Sequence, residues 1–434
     1  MSRRVLVIAY LYPPISNSGT QRPLKFTKHL PAFGWLPTVV TAANAGVHPS
    51  DPGLLQQVPP QVSVVRVPML NEIIGANISR LLLGTQFGHW LGDGIGWRMR
   101  RPFQRPDLYA LWRPTARRAA LQVFRNEGFD AIYATGYPWT SLLIGADVAR
   151  ATGRPLIADF RDPWAADDMH TIGRLAYEDE LAMERSVVRQ ASRVVSVSDT
   201  MTRMMRDLHP KTPAGKFVTI HNGFDPSDLE TAAPPPHSTF RIVYTGVWKD
   251  DYGPGDLYDA VDKLRRTSAA LLEGVEIVAA GFEPGEARRR SLDSYISEPG
   301  RVSHQDALSL MRSADVLFLP NANGSRQALG LPGKLFEYLA TGRPVLALTD
   351  PDGEAGRLLR TTGGNQLVDP ADPQSFVSAV EDICRRRQVP TAPFHREALI
   401  PFERASLTGK LAALLDEVVA ETAVSGHENQ ASPH

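Results

Sequence analysis

The sequence predicts an α/β chain built from two Rossmann-like, doubly wound parallel-sheet domains. Three observations lead there. Short β-branched runs alternate with longer helical patterns, as in a parallel sheet covered by helices. A stretch near residues 225–240 interrupts that alternation once. The chain has 434 residues, too many for one ordinary core, and at about 150 residues per domain it divides into two large domains or three small ones.

The elements follow in order. In the first half, strand candidates are Val5–Ala9, Pro37–Thr41, Val62–Val67, Asp130–Tyr133, Pro155–Asp159, Arg193–Val197 and Val218–Ile220. Helical patterns fill the gaps at about 20–33, 114–127, 139–151, 173–191 and 199–208. In the second half the strands are Arg241–Tyr244, Val275–Ala279, Val316–Pro320, Pro344–Leu348 and Gln366–Val368, each followed by a helical stretch. Between the halves, Thr231-Ala232-Ala233-Pro234-Pro235-Pro236-His237-Ser238 has no apolar period and reads as a linker. The expected domains are 1–225, with 78–118 as an insertion, and 240–400, facing each other across a cleft. Over about 402–420, Leu407, Leu411, Leu414, Leu415 and Val418 share one face of a final helix expected to cross back to the first domain. Residues 421–434 read as a frayed tail.

Composition narrows the function classes. Hydrophobic residues make up 43% and charged residues 22%, as in an average soluble protein. Lys+Arg and Asp+Glu both number 47, which argues against a nucleic-acid binder. The one cysteine, Cys384, fits a reducing compartment. Val5 to Tyr12 ends in Pro13-Pro14 without a small-residue cleavage site, and no run of 18 apolar residues occurs. A cytoplasmic location is the reading. Residues 78–118 mix Leu81-Leu82-Leu83, Trp90, Trp97 and Trp112 with Arg80, Arg98, Arg100, Arg101, Arg105, Arg113, Arg117 and Arg118. This insertion either packs on its own domain or makes peripheral contact with a membrane or an anionic acceptor.

The strongest constellation is Gly330-Leu331-Pro332-Gly333-Lys334-Leu335-Phe336-Glu337-Tyr338-Leu339-Ala340 before the strand at Pro344. A Gly/Pro loop opens a helix that Gly342 stops. The amides of a helix N-terminus and its positive dipole end suit a diphosphate. Lys334 adds charge there, and Glu337, one turn in, can accept both hydroxyls of a ribose. The plain alternative is a capped helix with a surface Lys and Glu. At the end of a buried strand, Asp159-Phe160-Arg161-Asp162-Pro163-Trp164 sets two carboxylates around an arginine. These bind or orient an acceptor, or else form an internal bridge with Trp164 as core. Asp350-Pro351-Asp352 has metal-pair spacing but reads as a helix cap. His221 and His304 read as structural, and no metal is expected. No Gly-x-Gly-x-x-Gly follows the first strand, which disfavours a nicotinamide dehydrogenase.

Taken in order, these stretches resemble a retaining glycosyltransferase of family four, with the two-domain GT-B fold. The resemblance runs through Tyr12-Pro13-Pro14, Ser18-Gly19-Thr20-Gln21-Arg22, Gly34–Thr41, Asp159–Trp164, Val195–Ser198 and Ile220-His221-Asn222-Gly223-Phe224-Asp225. It continues through Val243-Tyr244-Thr245-Gly246, Ala314–Pro320 and Lys334–Ala340. It implies that Glu337 holds the ribose and that amides near Leu331, Pro332 and Gly333 hold the diphosphate. It also implies that the loop around Gly19 closes over the donor. Where the family carries a glutamate eight positions before Glu337, this chain has Leu329, so sugar recognition falls to the backbone of Ala328 to Gly330. Gly246 is followed by Val247-Trp248-Lys249 rather than by an arginine, so the cations facing the leaving group are Lys334, Lys249 or Arg326. The segment Ala134–Trp139, which includes Tyr137, lacks a histidine that many members have.

The resulting expectation is transfer of a sugar from a nucleoside diphosphate to an acceptor hydroxyl, with retention, in a polysaccharide, glycolipid or secondary-metabolite route. Asp162, Arg161 and Lys334 are the catalytic candidates. Gly19, Gly246, Lys249, Arg326, Gly330, Leu331, Pro332, Gly333, Lys334 and Glu337 are the donor-binding candidates. Asp159, Arg161, Asp162 and Tyr137 are the acceptor candidates. No cofactor is expected beyond the donor, a UDP-sugar rather than a GDP-sugar; the acceptor is a small-molecule or lipid-linked saccharide. Two other readings stay open: a non-catalytic nucleotide- or sugar-binding scaffold, and a membrane-surface transferase acting on a lipid-linked acceptor.

Overall fold

Val5-Leu6-Val7-Ile8 is fully buried, and such two-sided burial is what a central parallel strand requires. The computed structural model describes residues 2–43, 48–70, 105–165, 174–231, 234, 237–248, 253–320, 331–389 and 393–430. The chain divides into two units, Met1–Ile220 with Leu407–His434, and His221–Ser406.

Unit 1 holds β1 (Arg3–Ala9), α1 (Gln21–His29), β2 (Trp35–Ala42), β3 (Ser63–Val67), α2 (Arg113–Glu127), β4 (Ala131–Gly136) and α3 (Thr140–Thr152). It continues with β5 (Leu156–Phe160), α4 (Arg174–Gln190), β6 (Arg193–Ser196), α5 (Asp199–Leu208) and β7 (Phe217–Thr219). The sheet order is β3-β2-β1-β4-β5-β6-β7, and each neighbouring pair is parallel. The order reverses between β1 and β4, so the loops after these strands flank the switch point where doubly wound sheets bind ligands.

Unit 2 holds α6 (Pro226–Thr231), β8 (Phe240–Thr245), α7 (Gly255–Thr267), β9 (Val275–Ala280), α8 (Glu286–Arg289), β10 (Ile296–Gly300) and α9 (His304–Ser313). It continues with β11 (Val316–Leu319), α10 (Gly333–Ala340), β12 (Val345–Leu348), α11 (Glu354–Thr362), β13 (Asn365–Val368) and α12 (Pro373–Arg386). The sheet order is β10-β9-β8-β11-β12-β13, again parallel, with the switch between β8 and β11.

The last helix, α13 (Arg404–Gln430), runs about ten residues beyond the expected end, so residues 421–430 are helical rather than frayed. From Leu407 onward it belongs to unit 1. Its Leu407, Leu411, Leu414, Leu415 and Val418 pack with Val5, Val7, Leu24 and Trp35. Asp416 accepts from the Trp35 indole at 3.1 Å, and Arg193 pairs with Glu417 at 2.6 Å. Among the described residues, no helix is long and apolar enough to cross a membrane.

Candidate functional site

In unit 2 the candidates gather around the end of β8 and the start of α10. Tyr244 is fully buried, and a buried phenol needs a hydrogen-bond partner. Its hydroxyl donates to the carbonyl of Val247 at 2.7 Å, closing the turn after β8. Gly246 in that turn has φ +145°, a conformation that side chains other than glycine's rarely adopt. A Cβ there would lie 2.2 Å from the Lys334 ammonium. Lys334, in the first turn of α10, donates to the Tyr244 hydroxyl at 3.2 Å and sits 4.3 Å from its ring centroid. Burial drives its pKa from 10.5 down to about 7, with the Glu337 carboxylate pulling the other way.

α10 starts at Pro332 with no side-chain cap, and Leu331 beside it is 4% exposed. Gly333 is exposed and a Cβ on it would meet nothing within 4 Å. One turn on, half-buried Glu337 lies 3.8 Å from His304 at the start of α9, and His304 lies 3.9 Å from Asp228 of α6. The Tyr338 hydroxyl accepts the Thr245 amide at 2.8 Å, which ties α10 to the end of β8. The structure therefore brings together Gly246, Leu331, Pro332, Gly333, Lys334 and Glu337. Lys249, Arg326 and Gly330 lie outside the described residues, as does Leu329.

In unit 1, Asp159 is fully buried at the end of β5. One of its oxygens accepts from Arg22 at 2.9 Å, Tyr133 at 2.6 Å and Thr135 at 2.8 Å; the other accepts from Arg22 at 2.8 Å. Burial alone would raise the Asp159 pKa, but the Arg22 guanidinium holds it below the ordinary 3.8. Arg22 is 2% exposed and also donates to the Ile220 carbonyl at 2.8 Å. This corrects the acceptor role expected of Asp159: its carboxylate is enclosed and braces α1, so no substrate hydroxyl reaches it. Trp164 is core, 1% exposed and stacked on Trp139 at 5.8 Å.

Arg161 is half-buried, and its guanidinium donates to the carbonyls of Gly19, Tyr137 and, at 3.3 Å, Gly136. A side chain so committed braces these backbone segments of unit 1. The Gly19 amide donates to Asn17 at 2.9 Å and its carbonyl accepts from Arg161, so both groups have partners within unit 1. Asp162 is exposed. Tyr137 is half-buried between Tyr109 and Trp139, at ring distances of 6.0 and 5.1 Å. Burial raises its phenol pKa well above 10.0, and Tyr109 adds to the effect.

Outside these groups, Asp350 accepts the Asp352 amide at 2.9 Å and shapes the turn before α11. His221 lies 3.2 Å from Glu354. In the 78–118 stretch, residues 78–104 lie outside the described residues. Trp112 is buried, its indole donating to the Val67 carbonyl at 3.1 Å, and Arg113 pairs with Asp147 at 2.7 Å. Sequence reasoning missed Arg22, Tyr133, Tyr244 and Tyr338 as supports. The available signal was a tyrosine inside a buried strand or helix, whose hydroxyl has to find a partner.

Comparison with known proteins decides the family. The model for Glycosyltransferase Family 4 matches residues 24–228, and that for Glycosyl transferases group 1 matches residues 239–386. The chain belongs to glycosyltransferase family 4. Its activity class is therefore glycosyl transfer, and its two parallel-sheet domains are those of the GT-B fold. Sucrose-phosphate synthase from Thermosynechococcus elongatus is similar in structure at 13% identity and TM-score 0.60, covering 99% of this chain and 100% of that one. Anabaena HepE in complex with UDP matches at 16% identity and TM-score 0.52, covering 99% and 100%. An E. coli trehalose-6-phosphate structure bound with UDP-2-fluoro glucose matches at 10% identity and TM-score 0.58, covering 99% of each chain. At such identities these likenesses speak for the fold alone. No curated protein matches the chain.

Proposed function

We propose that this family 4 glycosyltransferase takes its sugar from a nucleoside diphosphate and passes it, with retention, to an acceptor hydroxyl in polysaccharide, glycolipid or secondary-metabolite synthesis. The observation that carries the reading is the Lys334 ammonium, held over Tyr244 beside Gly246, one turn before Glu337. A cation and the uncapped start of α10 would together receive a diphosphate, and the Glu337 carboxylate one turn along the same helix would accept from a ribose. As the bond from the anomeric carbon to the diphosphate breaks, charge builds on the leaving oxygen, and the ammonium and amides offset it. The acceptor oxygen joins the same face, and its proton passes to the departing phosphate. Uridine is the proposed base, supported by the UDP and UDP-2-fluoro glucose in two of the similar structures. A thermal-shift screen of UDP, GDP and their sugars tests this. A ligand at 100 times its dissociation constant adds about 2.7 kcal/mol of stability, and no shift with any nucleotide refutes the donor site.

Two variants separate the roles. Glu337→Ala weakens UDP binding by about 1–3 kcal/mol, the scale of losing a hydrogen-bonded charge; unchanged affinity by calorimetry removes the ribose role. Asp162→Asn lowers turnover more than donor affinity if Asp162 contacts the acceptor, and equal losses reject that contact.

A further inference from the structure

Three backbone carbonyls of unit 1 converge on one guanidinium. Arg161, just past β5, donates to Gly19 in the loop between β1 and α1, to Gly136 at the end of β4 and to Tyr137 in the loop after it. Its own amide donates to the Gly136 carbonyl at 2.9 Å, which fixes the base of the side chain. These loops flank the β1/β4 switch point of the sheet.

Gly19 is fitted to this arrangement. A Cβ there would lie 2.6 Å from Arg161 Nη1, 2.9 Å from Nη2 and 2.6 Å from Leu11 Cδ1. A methyl group and the guanidinium therefore cannot both keep their places. The missing side chain leaves the room that the tips of Arg161 and Leu11 occupy, a reason within the fold. The rest of the loop is ordered around the same point. The Ile15 amide donates to Tyr12 at 3.1 Å, Ser16 to Pro49 at 2.8 Å, and Thr20 to Asn17 at 2.9 Å.

We propose that Arg161 staples the β1–α1 loop to the end of β4 and the loop after it, with Gly19 leaving the room that its guanidinium occupies. Forking is what the task requires: a planar guanidinium reaches several carbonyls at once, and a lysine ammonium on a flexible stem does not hold the same geometry. The proposal goes beyond the donor reading and does not depend on it, since every residue in it lies in unit 1.

Hydrogen exchange of the full chain, followed by mass spectrometry, tests it. In Arg161→Ala the amides of Ser16–Thr20 exchange about ten- to a hundredfold faster, the equivalent of one lost charged hydrogen bond, while those of β12 in unit 2 do not change. Arg161→Lys, which keeps the charge and most of the volume, also speeds exchange in that loop. Gly19→Ala speeds it too, and by a smaller factor in the Arg161→Ala background than in the parent chain, because the displaced guanidinium is then gone. Parent-like exchange in Arg161→Lys would show that charge alone suffices and overturn the staple. So would equal effects of Gly19→Ala in both backgrounds. Should Arg161→Ala fail to fold, Arg161→Lys and Gly19→Ala still decide the matter. Failure of UDP binding in the parent chain would strike the donor reading and leave this one standing.

Discussion

Asp159→Ala lowers the stability of unit 1 by about 3–5 kcal/mol, the range for breaking a buried pair by removing one partner. The size follows from what is left behind. Arg22 is 2% exposed and loses both carboxylate contacts, so a cation stays in the core without its counter-ion, and Tyr133 and Thr135 lose their acceptor. Urea unfolding followed by a unit 1 tryptophan signal measures the loss. The double variant Arg22→Met, Asp159→Leu recovers much of it, because a buried pair replaced by apolar side chains of similar volume is often neutral. The pH dependence has a definite sign. The folded pKa of Asp159 lies below 3.8. Its contribution is therefore complete above the unfolded value and disappears as pH falls through the lower folded value. Acid unfolding of the parent chain shows that loss, and Asp159→Ala does not. A variant within about 1 kcal/mol of the parent, well below the range for breaking a buried pair, would return Asp159 to the list of substrate-facing groups.

What the sequence made legible, and what it did not, divides along contact distance. The strands β1 and β12 carry four or more consecutive apolar residues, so Val5–Ile8 and Val345–Leu348 could be found by eye. β10 was missed. Its sequence, Ile-Ser-Glu-Pro-Gly, buries only its first and last residues, and as an edge strand it tolerates a proline that a central strand would reject. The overrun of α13 was missed for the opposite reason: its added residues are mostly polar or small, and no apolar period marks them. Lys334 and Glu337 were legible as a pair because one short helix carries both. The Arg22–Asp159 pair spans 137 positions, and the Arg161–Gly19 contact spans 142. No local pattern links such residues, so the Asp-Phe-Arg-Asp run read as an acceptor site did not reveal that Asp159 and Arg161 brace distant backbone and side chains while Asp162 is exposed.

Lys334 carries the second large effect, a nucleotide affinity that falls with rising pH. In the free protein its pKa is about 7, so above that the amine is mostly neutral. A diphosphate arriving beside it favours the charged form, and binding takes up a proton. Affinity for UDP should then fall by up to about tenfold per pH unit above about 7, until the pKa of the complex is reached. The terminal phosphate, with a second ionisation near about 6, is already fully charged over this range and does not mask the slope. Calorimetry from pH 7.5 to 9.5, in buffers of different ionisation enthalpy, reads both the slope and the proton. Lys334→Met removes both and weakens binding most at the low end of that range. Stability moves the other way. Because the folded pKa lies below the unfolded 10.5, the unfolded chain holds more protons between about 7 and 10.5, and stability climbs with pH through that window. Below pH 7 the full cost of burying the charge is present, so Lys334→Met raises the unfolding midpoint there more than at pH 10. A pH-independent UDP affinity in the parent chain, together with an unchanged midpoint in Lys334→Met, would mean that this ammonium is already solvated and charged, and the diphosphate would have to be held by the helix amides alone.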